Sequence, residues 1–323
     1  SLLDERVVYK PFEYPKAFDY WLKQQQAHWL HTEVPMSQDV TDWKSNLKDH
    51  EKNVVGQILK GFAQTETVVN DYWTGLVTKW FRKPEIIAMA TTFGAMETIH
   101  AEAYSLLNEE LGLDDFSEFL EDETTMAKIE NLMSVRDSFN NEKDWHEIAK
   151  SLAIFSAFTE GVNLFSSFAV LLSFKMRNKL KGVGQIVEWS IRDESMHSDA
   201  GCWLFRTLIK ENPELDTPEL KTAITEAALL SLQLELDFIE KVYELGDLEG
   251  CSKEDLICFI KHRVNTKLGD LGYDPVVNGI DPNALKRMKW FDSLSAGKQH
   301  TDFFANRVTN YSKGTHNWDE SIF

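Results

Sequence analysis

The sequence predicts an all-α protein, built as one large helical bundle. Apolar residues recur with helical periodicity over most of the 323 residues. Glycine (16) and proline (8) are sparse, which disfavours a turn-rich β fold, and no strand–helix alternation or glycine-rich phosphate loop is present. The 43% hydrophobic content is enough to fill a core of that size. The net charge of -18 disfavours nucleic acid and anionic membrane surfaces as partners.

Prolines, glycines and capping residues divide the first half of the chain into helices. Pro15 and Pro84 suit the first turn of a helix, and Ser37 and Asp39 suit a cap. Gly112 ends the helix that begins at Pro84. An acidic loop is expected to follow, at 114–125. The helices predicted in this half cover 15–29, 40–47, 50–80 and 84–111.

The second half contains a long apolar stretch, 151–174, whose single charged residue is Glu160. Its length of 24 residues could span a bilayer, but Thr159, Asn163 and several serines favour a helix buried in a protein core. We expect one domain over 1–308 and a flexible tail over 309–323. The helices predicted in this half cover 126–135, 151–174 within the region 144–178, 185–209, 218–245 and 253–267, with a loop at 268–282.

Cysteine usage and the N-terminal residues bear on the cellular compartment. Cys202, Cys251 and Cys258 are widely spaced and form no CxxC pair, so a disulfide framework is not expected. The first residues carry charges and prolines where a secretion signal needs an apolar run. Both observations favour a cytoplasmic protein.

Two Glu-x-x-His pairs form the pattern that carries the chemistry. Residues at i and i+3 lie on one helical face, so both side chains of a pair can reach one ion. A further glutamate precedes each pair, 31 residues before the first and 34 before the second. This order of ligands is typical of di-metal carboxylate sites in ferritin-like bundles. The six candidate ligands are Glu66, Glu97, His100, Glu160, Glu194 and His197.

A single Glu-x-x-His pair is more often a solvated pair on a helix surface than a metal site. Here the context favours metal, because Glu160 and Glu97 lie in apolar segments and burying an unpaired carboxylate costs many kcal/mol. A set rich in carboxylates, with one imidazole per ion, suits manganese or iron rather than zinc.

The segments ETIHAEAY (97–104) and RDESMH (192–197) resemble the metal-binding helices of class I ribonucleotide reductase small subunits. The similarity extends from about Trp29 to the C-terminal tail and includes TEGVNLFSSF, which begins at Thr159. The resemblance implies one metal bound by Glu66, Glu97 and His100, and a second bound by Glu160, Glu194 and His197, with at least one bridging carboxylate.

The resemblance also implies a path for an oxidising equivalent. Tyr104 matches the tyrosine that many members oxidise to a stable radical. Asp193 would be the hydrogen-bond partner of the His100 ring, and Trp29 would begin the electron path. The plain alternative for Tyr104 is a packed core tyrosine, and for Trp29 it is an exposed or core tryptophan.

Further implications concern the surroundings of the site and the partner. Leu164 and Phe168 would form a dry wall beside the metals. Tyr311 matches the tail tyrosine that relays the radical, and the tail would dock on a separate large catalytic subunit. The family norm of a homodimer is adopted as implied.

Glu66 departs from the commonest pattern, in which di-iron members have aspartate as the first ligand. Members with glutamate here resemble manganese-using subgroups, and the Mn/Fe subgroup usually replaces the radical tyrosine, which this chain keeps as Tyr104. A dimanganese cofactor is therefore favoured, with di-iron plus a tyrosyl radical, or Mn/Fe, as alternatives.

The predicted function is that of the reductase small subunit, which passes an oxidising equivalent to the large subunit for reduction of ribonucleotides. The main alternative is a ferritin-like di-metal oxidase or monooxygenase, including an acyl desaturase, that acts on its own substrate. A metal store and a metal-free scaffold are further alternatives. Trp29, Asp193 and Tyr311 favour the reductase, because the alternatives need no long-range exit for a radical.

Overall fold

The computed structural model describes residues 1–113, 115, 117–137 and 144–296. Within these residues the structure is helical, and the β structure is limited to an isolated bridge between Leu248 and Cys251. The α-helices are α1 (Pro15–Gln26), α2 (Ser37–Ser45), α3 (Asp49–Asp71), α4 (Thr78–Trp80), α5 (Pro84–Glu110), α6 (Glu123–Asp137), α7 (Trp145–Ile154), α8 (Phe165–Met176), α9 (Lys181–Glu211), α10 (Pro218–Leu245), α11 (Lys253–Leu271), α12 (Pro282–Arg287) and α13 (Lys289–Ala296). Two π-helical turns, Tyr72–Val77 and Phe155–Thr159, and three short 3₁₀ turns, His31–Glu33, Glu118–Glu121 and Pro213–Leu215, complete the described elements.

Local chemistry accounts for where the long helices begin and end. Pro84 occupies the first turn of α5, where its missing N–H costs nothing. The side chains of Thr217 and Ser252 accept hydrogen bonds from the first turns of α10 and α11. Gly112 and Gly272 follow α5 and α11 with positive φ angles of 72° and 93°, a conformation that favours glycine.

The centre of the bundle is formed by α3, α5, α8 and α9. Helix α3 packs along α5, α8 packs along α9, and α5 also contacts α9. Gly94 of α5 permits close approach to the π turn after α3, since a Cβ there would lie 2.4 Å from Thr74 Cγ2. This packing brings together the four chain segments that carry the predicted ligands.

The apolar stretch at 151–174 is buried, as predicted, but the prediction that it forms one continuous helix was wrong. After α7, the π turn Phe155–Thr159 leads into a non-helical turn over 160–164 before α8 begins. The backbone N–H of Glu160 donates to the Phe155 carbonyl five residues earlier, at 3.0 Å. Such a turn widens the helix and is frequent at functional sites. Here it places Glu160 between two helical segments.

Other predicted boundaries also differ from the structure. Helix α6 begins inside the stretch predicted as an acidic loop, and α9 includes Gly182 and Gly184, which were expected to precede it. Helices α12 and α13 were not predicted. The domain boundary at 308, the tail 309–323 and Tyr311 lie outside the described residues. Among the described helices, none has both the length and the apolar character needed to cross a membrane.

Candidate metal centre

Six side chains from four segments of the chain meet in the middle of the bundle, and each is at most 2% exposed. Their ligand atoms form two groups, each with all atoms within 4.8 Å of one another. The first group is Glu66, Glu97, His100 and Glu194, and the second is Glu97, Glu160, Glu194 and His197. Glu97 and Glu194 belong to both groups, which is the arrangement expected of carboxylates that bridge two ions.

Both histidines direct Nδ1 toward the shared carboxylates. Nδ1 of His100 lies 2.9 Å from Glu97 Oε2 and 3.1 Å from Glu194 Oε1. Nδ1 of His197 lies 2.7 Å from the other oxygen of Glu97, Oε1. The carboxylate of Glu97 therefore stands between the two imidazoles, with one oxygen toward each.

The donor atoms of this cluster fit a pair of metal ions. Both oxygens of Glu66 and of Glu97, and Nδ1 of both histidines, are buried and make no hydrogen bond, because their close approaches lack hydrogen-bond geometry. Buried polar atoms are rarely left without partners. Metal ions would satisfy these atoms, and oxygen-rich ligands with one imidazole each suit manganese or iron.

Burial and mutual repulsion raise the pKa of three of the four glutamates. The pKa of Glu66 is raised by burial and by the charge of Glu97. The pKa of Glu160 is raised by burial and by Glu194. Burial and Glu97 together raise the pKa of Glu194 to about 8. Without metal, the cluster therefore retains protons at neutral pH.

Glu97 behaves in the opposite way because it lies between the two imidazoles. Burial raises its pKa, but the charges of His197 and His100 outweigh burial and lower the pKa to about 2. Burial lowers the pKa of His100, and Glu97 reverses this, so the pKa is raised. The same balance raises the pKa of His197. Positive charge is thus favoured next to Glu97, and two bound metal ions would supply it.

A hydrogen-bonded chain leads from His100 to Trp29. Nε2 of His100 lies 3.1 Å from Asp193 Oδ2, and the Trp29 indole N–H donates to the same oxygen at 2.8 Å. The Trp29 and His100 rings are stacked, with centroids 5.6 Å apart. Burial raises the pKa of Asp193, but the hydrogen bond from His100 outweighs it and lowers the pKa to about 2. Asp193 therefore stays ionised between the two rings.

Gln24 is a site residue that the sequence analysis missed. Its side chain is buried, its Oε1 lies 2.9 Å from Nε2 of His197, and its Nε2 donates to Asp193 Oδ1 at 3.1 Å. A carbonyl oxygen at this position fixes the proton on Nε2 of His197 and leaves Nδ1 free for a metal. Gln24 lies in a run of three glutamines on α1, so no motif distinguishes it.

Trp73 was also missed. It lies in the π turn after α3, is fully buried, and donates its indole N–H to Oε1 of Glu160. It follows Glu66 by seven residues, so the two share a helical face. That spacing was a signal that could have placed Trp73 near the site.

Tyr104 and the two residues of the predicted apolar wall, Leu164 and Phe168, all lie near Phe62. The Tyr104 hydroxyl is buried without a hydrogen-bond partner, and its pKa is raised by burial and by the charge of Glu66. The Phe62 ring contacts both Tyr104, at 4.8 Å between centroids, and Phe168, at 5.3 Å. Leu164 is 6% exposed and lines a small pocket with Phe62. An apolar layer thus adjoins Tyr104.

Comparison with known proteins gives a consistent result. The family model for the ribonucleotide reductase small chain matches residues 6–283. A protein of Invertebrate iridescent virus 3 that is named as a ribonucleoside-diphosphate reductase small subunit is 34% identical, over 98% of this chain and 86% of that protein. A Bacillus halodurans structure assigned to class I ribonucleotide reductase has a TM-score of 0.79 at 21% identity, over 87% of this chain and 99% of that one. The structure of Streptococcus sanguinis dimanganese(II)-NrdF has a TM-score of 0.74 at 23% identity, over 88% of this chain and 99% of that one.

The fold and site define a helical carboxylate–histidine protein with room for two metal ions. The chain belongs to the ribonucleotide reductase small-subunit family. This confirms the family predicted from the two Glu-x-x-His segments, and the all-α ferritin-like fold is confirmed as well. The comparisons do not support the oxidase, desaturase, storage or scaffold alternatives.

Proposed function

We propose that this chain is the radical-generating small subunit of a class I ribonucleotide reductase that acts on ribonucleoside diphosphates. The observation that carries the proposal is the convergence of the six buried ligands into two overlapping groups. The named relatives are small subunits of ribonucleoside-diphosphate reductases, which gives the substrate class. A metal pair bound here would supply one-electron oxidising power, and the large subunit would carry out the reduction.

The residues of this chain would hold the metal pair and provide an exit for the oxidising equivalent. Glu97 and Glu194 would bridge, and Glu66 with His100, and Glu160 with His197, would complete the two ligand sets. The hydrogen-bonded chain His100–Asp193–Trp29 supports an exit toward the surface of the small subunit. We assign the last step on this chain to Tyr311.

We propose a dimanganese cofactor, ahead of di-iron with a radical on Tyr104 and of Mn/Fe. Glu66 supports this choice, because it belongs to the first ligand group and family members with glutamate rather than aspartate at this position resemble manganese-using subgroups. The likeness to a dimanganese(II) structure is compatible with it. Metal analysis and electron paramagnetic resonance of protein activated under controlled metal supply decide the question. Two irons with a Tyr104 radical in the active form would contradict the dimanganese assignment.

The assembly we propose is a homodimer that binds the large subunit through the tail 309–323. The tail residues Trp318, Ile322 and Phe323 are apolar and would fill a groove on the partner, while nearby acids keep the free tail solvated. A cytoplasmic location fits the three buried free cysteines, which a reducing compartment preserves.

Reconstitution with the large subunit tests the function. The full chain and a variant truncated after residue 308 are each loaded with manganese and activated with oxygen, superoxide or peroxide. Each is then mixed with the reductase large subunit from the same genome and assayed for reduction of ribonucleoside diphosphates. We expect turnover with the full chain only, and equal metal content in both. Turnover of an unrelated substrate by the small subunit alone would support the oxidase alternative instead.

A further inference from the structure

Trp73 begins a second chain of aromatic side chains that leaves the metal centre. Its indole N–H donates to Glu160, and its ring lies 5.6 Å from Phe155 in an edge-to-face contact. Phe155 stacks on Tyr72 with centroids 3.6 Å apart and planes 11° from parallel. Tyr72 in turn contacts Trp80, edge to face, at 5.7 Å. Adjacent rings therefore connect the candidate ligand Glu160 with helix α4.

Two features of this chain suit stepwise electron transfer. Trp73 and Tyr72 have hydrogen-bond partners, because Trp73 donates to Glu160 and the Tyr72 hydroxyl lies 2.9 Å from Ser151 Oγ. All three oxidisable side chains are buried, and their exposure rises along the chain from 0% at Trp73 to 1% at Tyr72 and 6% at Trp80. The oxidisable side chains thus run in order from the site outward.

The second chain starts at a different place from the path through Trp29. The Trp29 path begins at His100, which belongs only to the first ligand group, and the Trp73 chain begins at Glu160, which belongs only to the second. The two chains therefore give the two candidate metal positions separate connections to the rest of the protein.

We propose that Trp73, Tyr72 and Trp80 form an electron inlet, through which a one-electron reductant at the surface reduces the oxidised metal pair. The inference rests on the proposed function, since it needs an oxidised metal pair at the site. The inlet would return the oxidised metal pair to its reduced state without using the Trp29 path that leads to the large subunit.

The transfer balances in one electron. Trp73 gives an electron to the oxidised metal pair, and the Glu160 carboxylate stabilises the indole cation that remains. Tyr72 refills Trp73 across Phe155 and becomes a radical cation whose phenol proton stays shared in the hydrogen bond with Ser151 Oγ, since serine is too weak a base to take it. Trp80 then gives an electron to Tyr72, which restores the neutral phenol. A soluble reductant of the ascorbate class restores Trp80 and is itself oxidised by one electron.

The test uses full-length, metal-loaded protein with the Trp29 path closed by Trp29→Phe. In that background, Tyr72→Phe removes the oxidisable hydroxyl and keeps the ring stacked on Phe155, and Trp73→Phe removes the indole. Trp203→Phe is the matched control, because Trp203 packs against Tyr20 away from this chain. After oxidation with peroxide, freeze-quench electron paramagnetic resonance on protein with ring-deuterated tryptophan identifies any indole radical. Stopped-flow absorption follows reduction of the metal pair by ascorbate.

We expect an indole radical whose spectrum changes on deuteration, its loss in Trp73→Phe, and a longer lifetime in Tyr72→Phe. Reduction by ascorbate should slow several-fold in both variants and stay unchanged in Trp203→Phe. Equal rates and no deuteration-sensitive signal, with metal content and oxidation equal to the parent, would overturn the inlet. If Trp73→Phe binds less metal than the parent, the reduction rate of Tyr72→Phe alone decides whether the inlet exists. A parent protein that binds no metal, or forms no oxidised pair, contradicts the proposed function instead.

Discussion

At the scale of single residues, the shared position of Glu97 has a measurable consequence for metal stoichiometry. Glu97 belongs to both ligand groups, whereas Glu66 belongs to one. Glu97→Gln should weaken the binding of both metal ions, because a neutral amide is a poorer ligand than a carboxylate. The amide also lacks the negative charge that attracts the two imidazoles. Glu66→Gln should leave about one ion per chain, in keeping with a two-ion carboxylate site. Atomic emission on dialysed protein measures the content.

The matched control is Glu188→Gln. Glu188 lies on α9 outside the cluster and forms an ion pair with Lys175. It should retain the full metal content. Equal losses of metal in Glu66→Gln and Glu97→Gln would contradict the inference that Glu97 binds both ions and Glu66 binds one.

Gln24 gives a second residue-scale prediction. Gln24→Leu removes the acceptor for Nε2 of His197, so the ring loses the partner that fixes its tautomer and orientation. Loss of such a supporting partner typically lowers metal affinity about 10–100-fold. Competition of manganese with a fluorescent chelator measures the affinity. Gln25→Leu, which changes the exposed neighbouring glutamine, should bind as the parent does, and similar losses in both variants would indicate a general effect on α1.

The sequence predicted the six ligands because spacing along a helix carries information about shared faces. Glu97 and His100, three residues apart, must project to one side of α5, and the echo at Glu194 and His197 repeats the pattern. Gln24 is a different case, because its contact with His197 depends on how α1 packs across the bundle. No spacing within α1 encodes that packing, so the contact appears only in the structure.

At the scale of elements, the same limit explains the broken helix around Glu160. The run at 151–174 is mostly apolar on all sides, so its composition could predict burial but could not show where the hydrogen-bond pattern widens. The π turn and the turn over 160–164 arise where Glu160 meets Trp73 of the other π turn. A tertiary contact thus sets the local backbone, and a one-dimensional pattern does not contain it.

The junction between α11 and α12 gives a prediction that concerns pH. Arg287 donates to both oxygens of Asp255, and this interaction lowers the pKa of Asp255. Because the Arg287 side chain is 57% exposed, solvent screens the pair and its contribution to the free energy of unfolding should be small. A lowered carboxyl pKa gives stability that is present above the unfolded value, near 3.9, and is lost as the pH falls through the folded value.

Asp255→Asn should therefore reduce the free energy of unfolding at pH 7, with a difference from the parent that shrinks below about pH 4. Urea unfolding of metal-free protein at several pH values measures it. Asp281→Asn is the control, because Asp281 lies farther from Arg287, at 3.8 Å, and is about half exposed. A difference that stays constant down to the lowest pH would assign the effect to packing rather than to charge.

At the scale of the whole molecule, the acidic cluster couples folding to metal and to protons. Burial raises the pKa of Glu66, Glu160 and Glu194, the last to about 8, in the metal-free protein. A carboxyl whose folded pKa is raised stabilises the fold below the unfolded pKa, near 4.3, and that stability is lost as the pH rises through the folded value. The metal-free protein should lose stability between those limits because it must either hold protons or bury repelling charges.

Metal-loaded protein should not show this loss, because its ligands are already ionised and neutralised by the ions. The increase in Tm on adding manganese should therefore be small near pH 5 and grow steadily toward pH 8. At free manganese about 100-fold above Kd, the stabilisation is about 2.7 kcal/mol. Calorimetric scans of chelator-treated and manganese-loaded protein across this range measure it, with the Glu97→Gln variant as the control that should respond weakly. An increase in Tm that is independent of pH would show that metal binding displaces no protons, and that the carboxylates are ionised before the metal arrives.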